Sequence, residues 1–434
     1  MSKESSLKAS YFDGFFASIM IGLIANYITP FGLLLGATSF HIGLLTSFPL
    51  IASSFVQLWS TELVKKVGSR LKLISATVFL QATALLLVPV VILLPERLQI
   101  PNYIFLITLG SLFTAVSTPA WASLMSDTVE KNNYGKYFAW RGKVLGTVVL
   151  VTNLLAGFFL FLLPDKFLAF VILLLVAGIS RIFSGIYVGK MDDIPVAHPE
   201  KKDFTYIEFI RRLPQSNFVK FVLFVSLINF TTFIAGPFFA VYMLNDLKFD
   251  YSTYTLIISI AGLATLITLP FWGKLADRYG NVKIIKASAL FVPILPVLWI
   301  FSKNPFYLLV INAFAGYLWA GFNLAAVNYI FDSASPELRT KCFAYFNFTN
   351  GIFICLGAFL GGFLALRLPG IVFGSKLLTI FCVSGLGRAI VNFFMLNSFH
   401  EVRKVDEITE EKMLYTILGA SPELSLTDRI FRRK

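Results

Sequence analysis

Apolar residues occupy the chain in long blocks, and polar or charged residues break them at short intervals. A helix rises about 1.5 Å per residue, so about 20 apolar residues cross the hydrocarbon core of a bilayer. Twelve blocks reach that length, at residues 11–36, 41–64, 72–94, 102–126, 136–163, 166–189, 217–244, 251–275, 282–302, 305–331, 341–366 and 373–398. The connections are short except for 190–216 and the tail after Phe399. The pattern predicts an all-α membrane protein of twelve transmembrane helices. The first block is too long for the apolar part of a signal peptide, and no small-residue cleavage site follows it, so no cleavable leader is expected.

The halves repeat. Gly178-Ile-Ser-Arg181 falls on Gly385-Leu-Gly-Arg388, and Thr29-Pro30-Phe31 on Gly236-Pro237-Phe238, both at an offset of 207. Lys136-Tyr-Phe-Ala-Trp140 falls on Lys341-Cys-Phe-Ala-Tyr345 at an offset of 205, which carries Asp127 onto Asp332. Shared order and offset imply two pseudo-symmetric six-helix bundles, at 1–189 and 217–398. They are joined by a cytoplasmic linker, 190–216, and followed by a cytoplasmic tail, 399–434. Parallel six-helix repeats are a transporter architecture with the substrate site between the halves.

Composition agrees with the hydropathy. Hydrophobic residues make up 57% of the 434 and charged residues only 14%, against about 25% charged in soluble domains. The net charge of +13 does not mark a nucleic-acid surface. With the N-terminus inside, 29 of the 37 lysines and arginines lie on the inner side, six lie outside, and Arg181 and Arg388 sit within helices. That is the positive-inside bias, and it sets both termini in the cytoplasm of an inner-membrane protein. The excess cations are expected to meet anionic lipid. Three scattered cysteines and three distant histidines give no disulfide or metal framework. No nucleotide-binding loop and no cofactor site is expected.

The linker contains Thr205 and Glu208 at capping-box spacing, with Ile207, Ile210 and Leu213 on one face and Arg211 and Arg212 opposite. This reads as a surface helix on the inner leaflet or as an ordered linker. The tail predicts a short helix around 405–418.

One connecting segment, Gly273-Lys-Leu-Ala-Asp277-Arg278-Tyr-Gly280, resembles the loop motif Gly-x-x-x-Asp-Arg/Lys-x-Gly of the major facilitator superfamily. The resemblance extends over residues 11–398. It implies a secondary transporter in which two bundles rock about a central cavity. It also implies a gate between Asp277 and the start of the fifth helix, near Lys136 and Arg141. An acid at a helix end can meet the positive end of a neighbouring helix and nearby basic side chains. The first-half copy departs from the motif, with Thr61 in place of the glycine and Lys65 in place of the acid. The fifth helix has Gly142, Gly146 and Gly157 but no Gly-Pro pair, so the antiporter motif of many drug exporters is missing.

Charges at membrane depth cost about 2.5–3.5 kcal/mol on insertion scales, so each needs a reason. Arg181 and Arg388 recur in both halves and are assigned structural roles, capping carbonyls or snorkelling inward. Asp13, on the first helix, is the candidate for ion coupling, to proton or sodium; the alternative is a solvated helix-start residue. Asp127 and Asp332 end helices on the inside and are expected to pair with Lys136, Arg141, Arg339 or Lys341. The candidate substrate layer is polar and aromatic: Asn26, Tyr27, Gln57, Trp121, Asn153, Asn229, Trp319, Asn323 and Asn350. Amides and indoles suit a small, weakly polar ligand; buried amides also join helices. Pro30, Pro119, Pro237 and Pro270 are expected to interrupt cavity helices.

The expected function is alternating-access movement of a small solute by a monomer, with membrane lipid as its surroundings and no nucleic-acid partner. The alternatives are a lipid or amphiphile flippase of the same fold and a non-transporting membrane sensor or assembly protein. No nucleophile–base pair suggests an enzyme.

Overall fold

A computed structural model describes residues 3–130, 134–193, 206–211, 216–334, 339–406 and 408–417. Among these, twelve helical spans are long and apolar enough to cross a membrane. In chain order they are Glu4–Leu34, Ser39–Gln57, Arg70–Leu93, Glu96–Thr128, Tyr137–Leu162, Lys166–Val188, Asn217–Asp246, Tyr251–Tyr279, Asn281–Leu298, Pro305–Ser333, Cys342–Arg367 and Lys376–Met395. Helices satisfy the backbone internally, which lipid requires. Their ends are finished locally. Ser69, Asp165, Ser216, Asp250 and Ser375 each accept the backbone N–H three residues on, which is N-capping. Gly68 ends the second helix with φ +72°.

The proline expectation divides. The first span breaks at Ala25–Tyr27, ahead of Pro30, and the seventh breaks at Gly236–Pro237 before a π-turn at Tyr242–Asp246. Pro119 and Pro270 lie inside unbroken helices. A break the proline reading missed lies in the ninth span, where helix gives way after Phe291 and resumes at Ile294–Leu298.

The halves close on each other at the end away from the basic loops. Tyr27 and Thr255 share a hydroxyl hydrogen bond at 2.7 Å, and Tyr254 Oη donates to the Asn26 carbonyl at 2.7 Å. Ser259 donates to Asn153 at 3.0 Å. On the other flank Phe40 packs on Phe359, and Gly43 lies against Gly362 and the Ala358 carbonyl. Near the middle Phe55 still meets Phe348. A side chain grown from Gly146 would touch Leu266 at 3.6 Å, yet one turn nearer the basic end one grown from Gly142 would meet nothing across the seam within 4 Å among the described residues. Trp59 and Trp140, also toward that end, are half exposed. Among the described residues the seam is sealed at one end and parted at the other.

The tail folds back on the second half, where the sequence suggested only a charged extension with a short helix. Glu401 accepts the Val282 N–H at 2.9 Å. Arg403 pairs with Asp332 at 3.1 Å and donates to the Ala276 carbonyl. Asp406 pairs with Arg278 at 3.3 Å while its N–H donates to the Arg278 carbonyl. The helix Glu410–Ile417 then buries Met413 and Ile417, and the Tyr317 hydroxyl donates to the Ile417 carbonyl. In the linker, Tyr206 bonds Thr349 and packs on Tyr345 and Phe348 of the eleventh span. Thr205, Arg212 and Leu213 lie outside the described residues.

Gly280 holds φ +90°, ψ 157°, with the Glu401 carboxylate where a side chain would grow. That backbone region is open almost only to glycine and costs other residues about 1–3 kcal/mol. Gly280→Ala is therefore expected to lower the melting temperature of the detergent-solubilised protein. An unchanged melting curve would show that the strap yields freely.

Candidate functional site

Two cavities lie along the inner surfaces of the halves. The first, of about 280 Å³, is bounded by Asp13, Ser18, Thr114, Ser117, Thr118, Trp121, Arg141 and Arg181, among others. Asp13 is 5% exposed, so it is no solvated helix-start residue. Ser184 Oγ donates to Asp13 Oδ1 at 2.6 Å, and Arg181 Nη1 donates to Ser184 Oγ at 2.9 Å. Arg181 Nε donates to Gln81 Oε1 at 2.8 Å. One chain of side-chain bonds thus joins the first, third and sixth spans. Arg181 was expected to cap carbonyls or snorkel. It does neither in these contacts, because a hydroxyl and an amide lie within its reach at its own depth.

Arg141 was assigned to the basic-end gate. The structure turns it into the same cavity, where its guanidinium lies 4.5 Å from the Trp121 ring centre and donates to the Ser10 carbonyl. The cluster therefore holds one carboxylate against two guanidinium groups. Ser184 and Gln81 escaped the sequence reading. Ser184 could have been found from its i+3 spacing to Arg181, and Gln81 as a lone amide in an apolar run.

The second cavity, of about 470 Å³, sits beneath the sealed end. Ala25, Asn26 and Thr29 of the first span face residues of the seventh, eighth, ninth, tenth and twelfth. Phe239, Tyr254, Trp299 and Trp319 supply aromatic walls, Asn312 and Thr265 polar ones, and Arg388 the charge. Arg388 Nη1 donates to the Val292 carbonyl at 3.0 Å. That carbonyl is free because its helical partner would be Pro296, which has no N–H. Arg388 caps that carbonyl.

Of the candidate substrate residues, Asn26 and Trp319 line the second cavity and Trp121 the first. Tyr27 and Asn153 are used differently from expectation. Tyr27 Oη donates to the Asn153 carbonyl while bonding Thr255, and the Asn153 amide donates to Gly22 and accepts from Ser259. Their polar groups are spent on the seal. Asn229 donates to Asn350 at 2.8 Å, joining the seventh and eleventh spans. Gln57 is half-buried and Asn323 exposed, and neither lines these cavities.

At the basic end Asp127 pairs with buried Arg70 at 2.7 Å. Asp332 accepts from Asn281 at 2.6 Å and pairs with Arg403. Both acids were expected to find Lys136, Arg141, Arg339 or Lys341. They bind across to the start of the third and ninth spans instead, because a helix end lies closer than the next loop. Asp277 is exposed and has no ion pair among the described residues. The segment read as a connection is helical: Gly273, Asp277 and Arg278 lie in the last turns of the eighth helix, which ends at Gly280; Arg278 is turned to the tail, and the Lys136 side chain lies outside the described groups.

Twelve spans in two repeated halves, with cavities facing the seam, define a multi-pass membrane protein. Residues 221–413 match the Major Facilitator Superfamily. The multi-drug resistance efflux pump PmrA of Streptococcus pneumoniae is 25% identical over 423 residues, covering 93% of this chain and 98% of that protein. The multidrug resistance protein MdtG of Proteus mirabilis is 28% identical over 163 residues, 37% of this chain and 39% of its own. Among solved structures, a variant of the nucleoside transporter NupG matches with a TM-score of 0.74 at 14% identity, covering 91% of this chain and all of that one. A D-xylose-proton symporter matches with a TM-score of 0.70 at 12% identity, covering 93% and 99%. The chain is thus similar to transporters of the major facilitator superfamily, in its second half by the family match and over its whole length by fold.

Proposed function

We propose that the protein exports small amphiphilic solutes from the cytoplasm by alternating access, coupled to inward movement of protons through Asp13. The observation that carries this reading is the one-sided seam: among the described residues, hydrogen bonds and glycine contacts hold the halves together from one end to the middle, with none found at the basic end. The basic end faces the cytoplasm, by the positive-inside bias, so the conformation described is open to the inside. The relative named as an efflux pump favours export. A monomer suffices, because the cavities form within one chain.

The two bundles, 1–189 and 217–398, move as bodies about the linker 190–216, and the tail travels with the second. In the opposite conformation Asp277 meets the start of the fifth span near Lys136 and Arg141, and the basic end closes. Asp13 is the coupling group because it is a buried carboxylate on a wall of the first cavity, held by a neutral hydroxyl. A proton on Asp13 leaves Arg141 and Arg181 facing a neutral acid, and those cations must then find other acceptors. Proton binding and helix position are linked in this way.

The test uses proteoliposomes. Asp13→Asn is expected to abolish solute movement driven by a pH gradient, by at least tenfold, while exchange of solute across the membrane without a gradient continues. Unchanged pH-driven movement would remove Asp13 from the coupling role.

A further inference from the structure

Arg388 and Arg181 are counterparts in the repeat, yet their charges are answered differently. Arg181 reaches Asp13 through Ser184. The offset of 207 carries Asp13 onto Lys220, so the second half has no acid at that place. Arg388 is 2% exposed and donates to two neutral acceptors, the Val292 carbonyl and Ser384 Oγ. A guanidinium has five N–H donors, and the Arg388 Nε–H is buried without a partner. The residue lines the 470 Å³ cavity, whose wall includes no Asp or Glu. The remaining wall is aromatic and weakly polar: Phe239, Tyr254, Trp299, Trp319 and Asn312. The volume lies in the range of about 300–1,000 Å³ that holds drug-sized ligands.

We propose that this cavity binds its ligand as an anion, an aromatic or amphiphilic monoanion whose acidic group supplies the counter-charge that Arg388 lacks. The assignment rests on the transport reading above and names its substrate class. Guanidinium and carboxylate match in geometry, and charge-assisted bonds are about twice as strong as neutral ones. The ring system stacks between Trp299 and Trp319, while Asn26 and Asn312 bond polar substituents. Arg388 keeps its structural bond to Val292 throughout and uses its spare donors for the ligand. The first cavity, with its own carboxylate, is left to the proton.

Isothermal titration on the full chain in phosphatidylcholine nanodiscs tests this with three probes of one shape: 2-naphthoate, methyl 2-naphthoate and 2-naphthylmethylammonium. At pH 7.5 the wild type is expected to bind 2-naphthoate at least tenfold more tightly than the other two. Arg388→Gln brings the three affinities within about twofold of each other, and Arg388→Lys restores part of the preference. Trp319→Leu weakens all three and keeps their order. Equal binding of the three probes to the wild type, or no binding of 2-naphthoate at millimolar concentration, overturns the proposal without any variant. Anion preference that survives Arg388→Gln, or binding untouched by Trp319→Leu, overturns it too. These are equilibrium measurements without a gradient. Anion-selective binding with no movement in proteoliposomes would sink the transport reading and leave the site standing. Movement of solute with no anion preference would do the reverse.

Discussion

Gly43→Leu is expected to abolish transport and open the sealed end. A Cβ at Gly43 would stand 2.9 Å from both the Gly362 Cα and the Ala358 carbonyl oxygen. Both are backbone atoms of the eleventh span, so no side chain can swing aside. The helices must separate, and interiors packed this closely transmit such a shift. Because the seal joins two rigid halves, the displacement spreads along the seam and strains Tyr27–Thr255 and Tyr254–Asn26 on the other flank. The reporter is Ala156→Cys, a 1% exposed position beside the seal, in a background with Cys342, Cys355 and Cys382 changed to serine. An impermeant maleimide added from the sealed side is expected to label Ala156→Cys slowly, and at least tenfold faster when Gly43→Leu is added. Equal labelling with normal transport would show that the glycine contact does not hold the halves.

Arg181→Ala is expected to be the most destabilising single change in the first cavity. It leaves Gln81 without its partner and Ser184 without its donor, and removes one of the two cations set against a buried carboxylate. Removing one partner of a buried charge pair costs about 3–5 kcal/mol. The lower figure applies here, since Arg141 remains on the same wall. Asp13→Asn should then cost less in the Arg181→Ala background than in the wild type, because the carboxylate it removes has already lost one of its two cations. The melting temperatures of wild type, the two single variants and the double variant form the cycle that checks this. Additive losses would mean that Asp13 and Arg181 do not interact.

The class of the protein was legible because lipid imposes one rule on every span: the helix must be long and apolar. The site was less legible. Asp13 and Arg181 stood out as charges at depth, but they are 168 residues apart in the chain, and nothing local says that they meet through Ser184. Arg141 sits one residue after Trp140 near a helix start, which reads equally well as a surface cation or an inward one. The rotation of the fifth helix decides, and it places the guanidinium over Trp121. Tyr27 and Asn153 carry the polar groups expected of ligand residues. Only the approach of Thr255 and Ser259 from the other half shows that those groups are already taken.

Hydropathy, the run of basic residues and the 207-residue offset, all properties of the chain alone, determined twelve spans, their expected orientation and the duplication. They suffice because span length and loop charge act segment by segment against the bilayer. Tertiary structure alone decided which end of the seam is shut, that the tail straps the end of the eighth helix at Asp277–Gly280, and that Arg181 has a counter-charge where, among the described residues, Arg388 has none. Those outcomes depend on contacts between distant segments, where one helix rotation chooses among several polar partners of nearly equal worth.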